Sequence, residues 1–120
     1  MTHYFSIMVK KLKDQSLESL YKVKYQAEVL EYLLDKSYLT SFLLTAYEKI
    51  REIFTNEELI LNISFDPEII GWKKLTLAIH TNLETDEAYD KLKILDNSWW
   101  IDASSIVGND LDIYITFNEI

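Results

Sequence analysis

At 120 residues the chain is long enough for one hydrophobic core and too short for two, and its 48% hydrophobic content can fill one. It contains no cysteine, which excludes disulfides, iron–sulfur clusters, thiolate zinc sites and cysteine nucleophiles and fits a reducing cytoplasm. The formal net charge of −8 is unevenly held: residues 1–54 carry eight Lys or Arg against seven Asp or Glu, and residues 55–120 carry four against thirteen, a field that repels phosphate backbones and disfavours direct nucleic-acid binding.

In chain order, the N-terminus places Lys10 and Lys11 after a short apolar run, the reverse of a secretory signal, and no stretch reaches the apolar length that crosses a bilayer. The expectation is a soluble cytoplasmic protein with no membrane association. Residues 3–9, with Tyr4, Phe5, Ile7, Met8 and Val9, read as the start of a helix, with a strand as the alternative. Lys10, Lys11 and Lys13 form the one basic run, weak evidence for nucleic-acid contact.

From Leu17 to Phe54 the apolar period is helical. Leu20, Val23, Ala27, Leu30 and Leu34 recur at steps of three and four, and Leu39, Leu43, Ala46, Ile50 and Ile53 repeat the pattern. Asp35-Lys36-Ser37 is the best break between two helices, with Ser37 placed to cap the second; one uninterrupted helix is the alternative, since no Gly or Pro enforces the break. Tyr21, Tyr25, Val29 and Tyr32 form a second stripe offset from the first. Either the first helix is buried on two sides within one domain, or this stripe meets another copy of the chain.

After Thr55-Asn56 the period becomes two. Leu59, Leu61, Ile63 and Phe65 make one strand, and Leu75, Leu77 and Ile79, alternating with Thr76, Ala78 and His80, make the next. Asp66 to Trp72, with Pro67 and Gly71, joins them as a hairpin with a structured loop in which Ile70 and Trp72 would be costly to expose without a partner. Asn62-Ile63-Ser64 matches a glycosylation sequon but reads more simply as strand. Thr85 is placed to cap a helix with Asp86 and Glu87 in its first turn and Ala88, Leu92, Leu95 and Trp99 as its buried stripe, so that Trp100 must point elsewhere. An irregular stretch with Ser104, Ser105 and Gly108 precedes a last strand bearing Leu111, Ile113, Ile115 and Phe117.

The expected fold is therefore a single α+β domain: a helical part over residues 1–54, then an acidic ββαβ part over 55–120. The helical crossover makes the last two strands parallel, with the first of the three able to sit between them and run antiparallel to both. Which face of the sheet the N-terminal helices cover is left open.

The residues Asp66-Pro67-Glu68-Ile69, Ala78-Ile79-His80-Thr81-Asn82-Leu83-Glu84, Lys91-Leu92 and Leu95-Asp96-Asn97-Ser98-Trp99-Trp100-Ile101-Asp102-Ala103-Ser104-Ser105 resemble an uncharacterised family of small bacterial proteins, mainly cyanobacterial. The likeness covers roughly residues 57–118 and is most distinctive in the Leu-Asp-x-x-Trp-Trp-x-Asp cluster. It implies a bacterial, cytoplasmic protein and carries no activity.

Two isolated glycines cannot form a nucleotide-binding loop, and His3 and His80 are the only imidazoles. No catalytic residue, cofactor or metal ligand is assigned. Three readings follow. The first is a non-catalytic, acidic protein-interaction module, antitoxin-like, for a basic protein partner; its candidate surface is Asp66, Glu68, Ile70, Trp72, His80, Trp100 and Asp102, with Tyr21, Tyr25 and Tyr32 on the helices. The second is a homo-oligomer, such as a dimer, assembled through the N-terminal helices. The third is a divalent-metal hydrolase in which Asp66, Glu68, Asp86, Glu87, Asp90, Asp96 and Asp102 converge. A Ser-His-Asp arrangement of His80 with Ser104 or Ser105 can be drawn but lacks a nucleophile-elbow context.

Overall fold

Alternation of leucine and β-branched residues with polar ones builds a sheet whose inner face is almost wholly aliphatic, and the helices settle on that face. The computed structural model describes residues 17–117. Residues 17–20 are helical, followed by β1 (Lys22–Val23), α1 (Gln26–Asp35), α2 (Tyr38–Ile53), β2 (Glu58–Phe65) and β3 (Lys73–Thr81). α3 (Thr85–Leu95) then runs through a π-turn at Asp96–Trp100 into α4 (Ile101–Val107), and a 3₁₀ turn at Gly108–Asp110 leads to β4 (Leu111–Phe117). The readings on residues 3–9 and on Lys10, Lys11 and Lys13 lie outside the described residues.

Among the described residues the sheet has four strands in the order β1-β2-β3-β4. β2 and β3 are antiparallel, with Phe65 opposite Lys73 and Leu61 opposite Leu77, and β3 and β4 are parallel, with Leu77 beside Ile113. The α+β class, the hairpin and the parallel crossover thus hold. The expected strand order does not: β3, not β2, lies between the other two long strands. The middle of β3 suits the interior position, since Leu75, Thr76, Leu77, Ala78 and Ile79 are uncharged and all buried.

Among the described residues α1 to α4 lie on one face of the sheet. Val29 and Leu33 of α1, Leu39, Leu43 and Ile50 of α2, Leu95 of α3 and Val107 of α4 join one core with Leu59, Leu61, Leu75, Leu77, Ile79 and Ile113 of the sheet. The opposite face carries rows across the strands: Lys22, Ile60, Ala78 and Tyr114 in one, Glu58, His80 and Thr116 in the next. A groove of about 860 Å³ opens over it.

The first half departs from its predicted pattern. The chain leaves the helical path at Tyr21, and residues 22–23 pair in parallel with Ile60 and Leu61 of β2, extended by a bond from Lys24 N–H to Leu61 O of 2.9 Å. Tyr25, with φ 53°, then turns the chain into α1. Because α1 starts afresh there, its register is not that of the helix before it. The stripe read as offset is the one that packs: Tyr21, Val29 and Tyr32 are buried, whereas Ala27 and Leu34 are exposed. In α2 the predicted stripe is correct, with Leu39, Leu43, Ala46 and Ile50 fully buried. The break before it falls at residues 36–37 as expected, but the Ser37 side chain caps nothing, and the turn closes through backbone bonds from Leu39 N–H to Lys36 O and from Thr40 N–H to Ser37 O.

In the second half, Glu84 occupies the N-cap position and Thr85 is the first helical residue, a shift of one from the predicted cap. The stretch read as irregular is α4, where Ser104 and Ser105 donate to Ile101 O and Asp102 O at 2.8 and 2.7 Å, back-bonding that a helix tolerates.

Candidate interaction surface

The antiparallel register places the β2–β3 loop at one end of the sheet, and the parallel register of β4 brings the 3₁₀ turn Gly108–Asp110 to that same end. The C-terminus of α1 completes the group: Leu34, Lys36, Trp72, Lys73 and Asp110 line a single cavity of about 650 Å³. Three segments far apart in sequence therefore meet here.

Asp110 ties them together. Its backbone carbonyl accepts from the Tyr32 hydroxyl at 3.1 Å, its Oδ2 accepts from the Tyr38 hydroxyl at 2.6 Å, and its Oδ1 lies 3.3 Å from Lys36 Nζ. Lys36 also sits over the Tyr32 ring at 5.8 Å. Loss of solvent contact, reinforced by the negative charge of Asp110, pushes the Tyr32 hydroxyl up to about 12. The Tyr38 hydroxyl is likewise pushed up to about 12 by desolvation and by its hydrogen bond to Asp110. Such a cluster fixes α1, α2 and the start of β4 relative to one another. Sequence reasoning found Tyr32 but missed Tyr38, Lys36 and Asp110, since no local period signals a contact spanning 72 or 78 residues.

The loop itself is ordered by its own backbone. Asp66 N–H donates to Trp72 O and Trp72 N–H to Ile69 O, both at 3.2 Å, while the Asp66 carboxylate accepts from Glu68 N–H at 2.8 Å. Gly71, at φ 82°, supplies the left-handed residue that closes it. The consequence is an apolar prong. Ile70 is wholly exposed at 103%, flanked by Phe65 at 60% and Ile69 at 54%. Trp72 is only partly exposed, with Lys74 Nζ 6.0 Å from its ring centroid and paired to Asp112 at 3.5 Å.

The other predicted surface residues scatter. Tyr21 is buried and donates to Leu43 O at 2.6 Å; burial and the nearby Tyr47 raise its pKa, Arg51 opposing. Tyr25 is 65% exposed at the start of α1. His80 lies at the opposite end of β3 from the prong, on the open face, where Nδ1 shares a 2.8 Å hydrogen bond with Thr116 Oγ1. Ser104 and Ser105 belong to a helix on the other side of the sheet, so the drawn Ser-His-Asp arrangement does not assemble. Trp100 does not point away from Trp99: the π-turn widens the helix so that both rings reach Phe42, at 5.3 Å for Trp99 and 6.3 Å for Trp100. Asp102 is exposed on α4. At the start of the π-turn, desolvation raises the Asp96 pKa above the ordinary carboxylate value.

The carboxylates are divided as well. Asp66 and Glu68 flank the prong, while Glu84, Asp86, Glu87 and Asp90 are exposed beyond the far end of β3. Among the described residues no three carboxylates or histidines form a group able to hold a metal ion. Among the same residues no helix is long and apolar enough to cross a membrane. Comparison with protein-family models, with curated proteins and with solved structures returned no match, so the resemblance noted above rests on its quoted residues alone.

Proposed function

We propose that the chain is a non-catalytic protein-binding module that presents the β2–β3 loop end to a basic partner. The observation that carries this reading is the prong of Phe65, Ile69 and Ile70, held out by an internally bonded loop and flanked by Asp66 and Glu68. Exposed large apolar side chains gathered at one loop are costly in water and are characteristic of the centre of an interface, with polar groups as its rim. Ordering the loop beforehand lowers the entropy lost on docking. The net charge of −8 adds long-range attraction for a cationic partner, in the manner of an antitoxin that masks a basic protein.

The test is capture of partners from the native cell by the full chain and by its Ile70→Asp variant. A basic protein should be retained by the wild type in low salt, released in high salt, and retained at least about tenfold less by the variant, given the usual cost of truncating a central apolar anchor. Equal retention by both chains would refute the assignment of the loop.

A further inference from the structure

The two edges of the sheet differ in a way that points to a second interface, independent of the loop. The β1 edge is guarded. It is two residues long and bears Lys22, with Lys24 just beyond, the short length and positive charge by which sheets discourage pairing with other chains. The β4 edge is seven residues long, contains no Lys, Arg or Pro, and has no neighbouring strand among the described residues. Its one charged residue, Asp112, is already engaged by Lys74 at 3.5 Å. Among the described residues the outer row of backbone N–H and C=O groups along β4 is thus a template for an extended strand.

The side chains of β4 specify which strand. In an antiparallel pairing of two copies about a twofold axis at Tyr114, Leu111 opposes Phe117 and Ile113 opposes Ile115 on the helix side, all apolar. On the open side Asp112 opposes Thr116 and Tyr114 opposes its own counterpart. The whole strand is used and no like charges meet. Sliding the copies so that the axis falls at Asp112 sets two carboxylates against each other and leaves the end of the strand unpaired, a destabilising arrangement. The pattern Leu-Asp-Ile-Tyr-Ile-Thr-Phe is therefore complementary to itself about Tyr114, the register that pairs all seven residues of the strand. α4, which packs against β4, leaves Ile101 and Ile106 exposed as further apolar surface on the helical side.

We propose that β4 is a dimerisation edge, joining two copies of the chain into one continuous sheet through antiparallel β4–β4 pairing centred on Tyr114. The interface is isologous, so it closes at two copies. It leaves the β2–β3 loops free, one on each copy.

Because the chain has no cysteine, single replacements report the register directly. Tyr114 is partly exposed on the open face, so its replacement leaves the core intact. Sedimentation velocity of the full wild-type chain at roughly 100 μM, a concentration that populates even a weak specific dimer, should show a dimer, and Tyr114→Lys, which sets two ammonium groups opposite each other, should sediment as a monomer with unchanged circular dichroism. Mild oxidation should convert Tyr114→Cys to a disulfide-linked dimer and leave Asp112→Cys unlinked, because in this register the two copies of position 112 lie four residues, roughly 13 Å, apart along the strand. A wild type that is monomeric at that concentration overturns the proposal. So does a dimer that survives Tyr114→Lys, or one that crosslinks as readily through Asp112→Cys as through Tyr114→Cys.

Discussion

Asp110 does by itself what a hairpin or a disulfide does elsewhere: it holds distant segments together, here through one carbonyl and two carboxylate oxygens shared among Tyr32, Tyr38 and Lys36. Its ligands titrate. The folded protein favours the protonated form of both tyrosine hydroxyls, whose pKa rises from 10.0 to about 12. A group whose pKa is raised on folding contributes stability that is complete below its unfolded value and disappears as pH climbs through its folded one. Stability should therefore decline between pH 10 and about 12. Tyr21, raised by burial and by Tyr47, adds to the same decline. Denaturant midpoints taken below and within that window should fall for the wild type and fall less steeply for the Tyr32→Phe/Tyr38→Phe double variant, which has two fewer protons to lose; parallel slopes would show that these hydroxyls are not coupled to folding.

At the level of elements, the helix–sheet contact decides which leucines matter. Leu77 sits in the centre of β3 with no exposure, and Leu77→Ala should cost about 2–5 kcal/mol in urea unfolding, the usual range for a fully buried leucine. Leu34, on the exposed side of α1, should tolerate Leu34→Ala within about 0.5 kcal/mol. A large loss at Leu34 would restore the periodic stripe read from the sequence and contradict the burial of Val29 and Tyr32. That misreading has a plain cause. Periodicity locates a helix and its apolar side as long as the helix is continuous, and α2 is legible for that reason. The run from Leu17 to Leu34 is interrupted by β1 and by the left-handed Tyr25, with no Gly or Pro to mark either, so the stripe counted across the break has no physical face. Of the four described strands β2, β3 and β4 are legible from their apolar residues and the hairpin from Pro67 and Gly71, whereas the two-residue β1 reads as helix. The π-turn was not, because one extra residue per turn leaves no composition signal, and it is what sends Trp100 to Phe42 rather than to solvent.

For the whole molecule, the acidic second half is a sum over separated places. Asp66 and Glu68 stand beside an apolar prong at one end of the sheet, and Glu84, at the N-cap position of α3, stands at the other, so in the proposed function the charge acts as a general field and the loop as the shaped contact. Ile70 and Trp72 were identified from sequence as residues awkward to expose; the fold separates them, stacking Trp72 beneath Lys74 and leaving Ile70 free. The proposed function requires Ile70 to touch a partner. Site-specific photocrosslinking in the native cell tests it most directly, with a benzophenone amino acid placed at Ile70 and, as the control, at Glu52 on the exposed surface of α2. One discrete adduct with a basic protein from position 70 and none from position 52 is the predicted result. No adduct at position 70, or the same adducts from both positions, would contradict it.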